Sequence, residues 1–190
     1  MRVRVLLISV LAYVIAGYAQ PSPAKLYSDL ERHLQSLKSL DLEYEATGTN
    51  VADGGVAGRM VWSRPDKFYH DAPEWTLCEI GRERWRFLKT QNTLIRERAE
   101  KDERWTPESV LFDLGKSFRA ASADEAVDGT RTLRLHSNDA SVTGEVTLEF
   151  RPRERVPDLI RFQVADGTVT EYRITNWEEN VPVDPEFSDH

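Results

Sequence analysis

Apolar residues recur at helical spacing near the start of this chain: Leu26, Leu30, Leu34 and Leu37 fall at i, i+4, i+8 and i+11, backed by Asp29, Glu31, Arg32 and Lys38. The spacing predicts an amphipathic helix whose stripe must cover an apolar surface, with Ser22 and Pro23 suited to its N-cap and first helical position. From Leu42 the period falls to two. Leu42, Tyr44 and Ala46 alternate with Glu43, Glu45 and Thr47, and after an Asp53-Gly54-Gly55 turn the apolar face resumes at Val56, Gly58, Met60 and Trp62. Short strand-like runs follow over 67–70, 75–80, 84–89, 93–98, 132–136, 142–151, 159–165 and 168–177. Gly81, Asp128-Gly129 and Asp166-Gly167 separate several of them. About ten mostly antiparallel strands exceed what a flat open sheet tolerates, so the sheet is expected to curl toward a barrel with one face inside.

One segment breaks the β pattern. Thr106, Pro107 and Gly115 read as N-cap, first turn and stop of a short second helix, and its Val110, Leu111, Phe112 and Leu114 must press against the sheet. Residues 120–127 read as either a short helix or a loop.

The N-terminus reads as an export signal. Arg2 and Arg4 precede an apolar run from Val5 to Ile15, and Gly17 and Ala19 are the small residues expected three and one positions before cleavage after Ala19. The run is well short of the roughly 20 residues that span a bilayer. Residues 20–190 are then expected to form one domain outside the cytoplasm, in the periplasm if the source has two membranes. The signal removes two arginines from a chain that holds 25 basic and 32 acidic residues, so the formal charge moves from −7 to −9 and nucleic acid is excluded as a partner. The single cysteine, Cys78, cannot close an internal disulfide, and between Leu77 and Ile80 it reads as a buried small hydrophobe.

The sharpest local feature is Val61-Trp62-Ser63-Arg64-Pro65-Asp66-Lys67-Phe68. It ends a strand on an arginine, breaks it with a residue that cannot donate to a ladder, and restarts it on an aromatic. Arg64 is therefore expected at a strand end with its guanidinium free to reach a partner. By composition alone it is a strand-end surface arginine.

With the leading helix, Gly58, the Gly81-to-Trp85 turn, the Pro107 helix, Asn176 and the closing Val183-Asp184-Pro185-Glu186-Phe187, this element makes most of the chain resemble the periplasmic outer-membrane lipoprotein carriers of the LolA type. The resemblance implies a mainly β, α+β fold: an incomplete, strongly curled antiparallel barrel of ten to eleven strands under an α-helical lid. It implies a monomer that holds the acyl chains of lipoproteins between sheet and lid and shuttles them from an inner-membrane lipoprotein-releasing transporter toward an outer-membrane receptor. In such carriers the arginine of the Arg-Pro element holds the lid through lid backbone, and the aromatic beyond the proline shapes loading; Arg64 and Phe68 match them. Trp62, Leu30, Leu34, Val110 and Leu111 complete the expected lid and cavity set, although the leucine stripe reads equally as ordinary core. Trp85 and Phe87 would face the cavity or fill it, and the charges on Glu79, Arg84, Arg86, Arg96, Glu97 and Arg98 can alternate outward.

Catalysis has little support. His33, His70, His136 and His190 lie in no metal-ligand spacing, no nucleophile or phosphate-loop motif is present, and neither metal nor cofactor is expected. The competing reading is a lipid- or lipoprotein-sensing regulatory domain of an envelope-stress pathway, which shares the same type of fold.

Overall fold

A computed structural model describes residues 22–49, 51, 54–98 and 106–182. The export segment, Asp53 of the first turn, the Val183-to-Phe187 motif and His190 lie outside them.

Helix α1 (Pro23–Ser36) begins at Ser22 with Pro23 in its first turn, as the sequence predicts, though no Ser22 side-chain bond caps it. The helix leads into β1 (Ser39–Gly48), and β2 (Val56–Ser63), β3 (Lys67–Asp71), β4 (Trp75–Ile80), β5 (Glu83–Leu88) and β6 (Thr93–Arg98) follow as an antiparallel meander. After β6 come α2 (Pro107–Phe112) and α3 (Leu114–Ser117). A second meander of β7 (Phe118–Glu125), β8 (Arg131–Ser137), β9 (Gly144–Phe150), β10 (Leu159–Val164) and β11 (Val169–Glu179) then returns to pair with β1. The result is one 11-stranded sheet in the order β6-β5-β4-β3-β2-β1-β11-β10-β9-β8-β7. Its outermost strands, β6 and β7, do not pair with each other, so the barrel stays open. The chain crosses from one edge to the other through α2 and α3.

Three local expectations change. The segment over 120–127 lies largely in β7, an edge strand with a register shift between Ala120 and Ser122. Its alternation is masked because small alanines stand where large apolar residues would mark an inner face. Gly115 does not end the second helix; the helix breaks at Asp113, and Leu114 restarts as α3 and is buried. Cys78 is half-buried on the convex face rather than in the core.

The core lies between the helices and the inner face of β1 and β7–β11. Leu26, Leu30, Leu34 and Leu37 pack with Leu40, Leu42, Val110, Leu111, Leu114, Phe118, Leu133, Leu135, Val146, Leu148 and Phe150. Each such side chain contributes roughly 2 kcal/mol of burial. The wing of β4, β5 and β6 lies outside this core; no residue of these three strands is fully buried.

Candidate functional site: the seam between lid and sheet

Arg64 stands at the end of β2, where Pro65 interrupts the ladder and the chain turns into β3. Its backbone N–H donates to Lys38 O at 2.9 Å. Its side chain spans the C-terminus of α1: Nε donates to Leu37 O at 2.8 Å and a terminal nitrogen to Gln35 O at 3.1 Å. The last carbonyls of a helix have no partner inside it and carry the negative end of its dipole, so a guanidinium fork there satisfies two acceptors and meets favourable charge. The Arg64 guanidinium also lies 4.9 Å over the Trp62 ring. The sheet rim thus grips the lid helix through one exposed side chain.

Trp62 continues the seam toward the second helix. Its ring stacks on Phe112 at 4.8 Å with 14° between planes, and Phe68, opposite Trp62 in the ladder, meets Phe112 edge-on at 6.0 Å. Leu34, Trp62, Arg64 and Leu111 line a cleft of about 130 Å³ together with Phe112 and Leu114. Leu30 and Val110 sit behind it, fully in the core. The expected residues therefore converge on one seam, with Arg64 exposed, Trp62 and Phe68 half-buried, and the four aliphatic residues buried. The cleft is well below the ~300 Å³ of ordinary small-ligand pockets, because the side chains of α1 and α2 occupy the inside of the sheet.

A second tether escapes the sequence. Tyr44 Oη lies 2.6 Å from His70 Nε2, and His70 Nδ1 lies 2.9 Å from Glu108 Oε1 in the first turn of α2. Burial by itself raises the Glu108 pKa, but the hydrogen bond and charge of His70, with smaller help from backbone and Thr106, outweigh it and hold the carboxyl below its ordinary range. Among the described residues Glu108 Oε2 is buried without a partner, so His70 is the carboxylate's principal support. Burial pushes the Tyr44 hydroxyl above its ordinary value, with Tyr172, Glu108 and Asp71 adding to the effect. The Trp75 ring packs 4.6 Å from that of His70. Gly58 makes this packing possible, since a Cβ there would stand 2.3 Å from Tyr44 Oη. Helix α1 carries a similar tie, with His33 Nε2 2.8 Å from Glu179 Oε1, which also accepts from Trp177 Nε1 at 2.8 Å. Among the described residues no three His, Cys, Asp or Glu side chains converge as a metal site requires.

Cross-strand register overturns one expectation. Trp62, Phe68, Glu79, Arg84 and Glu97 lie opposite one another in successive strands, so they share the inner face, and the same ladder carries Trp85 and Phe87 to the convex face. Glu79 and Glu97 bridge to Arg84 on the inner side, with Arg86 beside Glu97. Trp85 and Phe87 therefore neither line nor fill the cavity. The lid ends before the wing, so β4–β6 have no core to bury against and the alternation there does not report an interior.

No protein-family model and no curated protein sequence matches this chain. Among solved structures, a DUF1329 family protein from Desulfovibrio piger aligns at 10% identity over 90% of this chain and 98% of that one, with a TM-score of 0.51. The two share a fold. A protein domain from Vibrio parahaemolyticus assigned to outer-membrane lipoprotein sorting aligns at 10% identity over 88% and 96%, at 0.49. MucB aligns at 11% identity over 87% of this chain and 62% of its own, at 0.41. At 10% identity the likeness to the DUF1329 protein is one of architecture: a curled antiparallel sheet under a helical lid.

Proposed function

We propose that this protein is a periplasmic carrier that takes the acyl chains of lipoproteins between its sheet and its helical lid and passes them toward the outer membrane. The observation that carries the reading is the fastening of α1: an apolar stripe laid over an apolar inner face, held at the rim by the Arg64 fork on Gln35 and Leu37 carbonyls. A lid closed on its own sheet competes with lipid for the same surface, which limits affinity and permits release. With a cleft of about 130 Å³, cargo enters only as α1 and α2 move away. Each CH₂ then buried returns about 0.8 kcal/mol against the lid contacts it replaces. The Arg-Pro element resembles that of the carriers at this same position.

The deciding test is native mass spectrometry of the exported protein with a triacylated lipoprotein. Stoichiometric uptake followed by transfer to acceptor membranes is expected. A protein that stays empty refutes the carrier, and uptake without transfer is the behaviour of a sensing domain.

A further inference from the structure

The convex face of the β5–β6 hairpin is built as a surface that meets something else. Four large hydrophobic side chains are exposed among the described residues, and three belong to this hairpin: Phe87 at 36%, Leu94 at 63% and Ile95 at 38%. Phe87 pairs directly with Leu94 on the convex face, and Trp85 continues the patch beside Arg96, whose guanidinium lies 5.9 Å over the indole. Ile95 projects from the opposite face, so the outermost strand is apolar on both sides close to its turn. Among the described residues β6 is also an edge with no neighbour beyond it, and all six of its residues are exposed.

Charge says what the patch fits. Residues 82–98 hold six basic and two acidic side chains, +4, while the rest of the chain holds 19 basic and 30 acidic, −11. Ion pairs tie Arg84 to Glu79, Arg86 to Glu97, Lys89 to Asp71 and Arg96 to Glu83; Arg82 and Arg98 form no ion pair among the described residues, although Arg98 stands opposite Glu83 in the ladder. The convex face of β6 reads Leu94, Arg96, Arg98, with Phe87, Trp85 and the single acid Glu83 beside it. Apolar and aromatic groups interleaved with arginine suit the boundary between headgroups and acyl chains, where apolar surface leaves water and cations meet anionic lipid. Because the edge leaves backbone groups unpaired, the hairpin is suited to headgroup depth, where water and headgroups satisfy them, with its apolar side chains reaching toward the acyl chains.

We propose that the β5–β6 hairpin docks this protein on an anionic membrane surface. The proposal does not depend on whether the interior carries lipid.

Co-sedimentation tests it, using the protein purified after export, with the N-terminus verified by mass, and vesicles of phosphatidylglycerol and phosphatidylethanolamine or of phosphatidylcholine alone. The protein is expected to sediment with the anionic vesicles, more weakly as salt rises. Arg96→Glu with Arg98→Glu is expected to lower partitioning at least about fivefold per reversed charge, and Leu94→Asp to lower it about tenfold or more. Far-UV circular dichroism checks that these exposed substitutions leave the fold in place. A wild-type protein that ignores anionic vesicles overturns the proposal, as does a Leu94→Asp variant that binds like wild type. Either result turns the hairpin into a candidate protein-docking edge. Lipoprotein uptake by the Leu94→Asp variant is expected to match wild type, which separates failure of docking from failure of carriage.

Discussion

Replacing Arg64 by leucine removes the fork but keeps an apolar stem against Trp62. The change deletes the partly buried bond to Leu37 O, the exposed bond to Gln35 O, and a positive charge at the C-terminus of α1. A partly buried bond from a charged donor contributes about 1–1.5 kcal/mol, an exposed one a few tenths, and the helix-end charge about 0.5 kcal/mol. The total is close to 2 kcal/mol, so the open-lid population should rise roughly 30-fold. Global stability should fall by a similar amount, because unfolding breaks the same contacts, while the leucine stripe and the backbone bond from Arg64 N–H to Lys38 O keep the variant folded. Native-state hydrogen exchange reads this directly: amides in the last turns of α1 should exchange faster by about that factor, at a lower free energy of opening than those of β8 and β9. In a transfer assay the variant should retain lipoprotein, because a lid that no longer closes competes less well with bound lipid. Arg64→Lys, which keeps the charge but not the planar fork, should fall between. Unchanged α1 exchange in Arg64→Leu would refute the fastening, and normal release despite faster exchange would refute its role in cargo handling.

Further expectations concern the rest of the seam. His70→Leu strands the Glu108 carboxylate and should cost about 2–3 kcal/mol in urea unfolding, with His70→Leu/Glu108→Leu costing less than the two single changes combined; additive losses would count against the pair. Because the folded-state pKa of Glu108 is held below its ordinary 4.5, its contribution is present above about pH 4.5 and is lost as pH falls through the lower folded value. Glu108→Gln should therefore flatten the acid limb of the stability curve, and an unaltered limb would show that other carboxylates set it. Gly58→Ala pushes a methyl into the Tyr44 ring and should lower stability by about 1–3 kcal/mol, measured as a fall in Tm. Phe68→Glu sets a carboxylate against Phe112 and should lose about 2–4 kcal/mol and impair loading; wild-type loading and transfer would remove Phe68 from the path.

The α1 stripe and the β1–β2 hairpin were legible because helical and strand periods follow from covalent spacing, and each is written in its own few residues. The Arg-Pro break was legible for a similar reason: proline fixes its own backbone and its neighbour's whatever surrounds it, so Arg64 had to stand at a strand end. β7 was not legible, because its small residues, Ala120 and Ala123, carry little contrast with their neighbours.

What only the tertiary structure decided rests on residues far apart in the chain. Tyr44, His70 and Glu108 come from β1, β3 and α2, separated by 26 and 38 residues, and no local pattern couples a histidine on one strand to a glutamate on a later helix. The reversal at the wing has the same origin. The alternation of Arg84, Trp85, Arg86 and Phe87 fixes that charged and aromatic side chains take opposite faces, but which face is inner depends on register accumulated across four preceding ladders and on where the lid ends. Periodicity divides a strand into two faces; burial is assigned by what covers them, and the free energy of covering belongs to the assembled sheet and helices together.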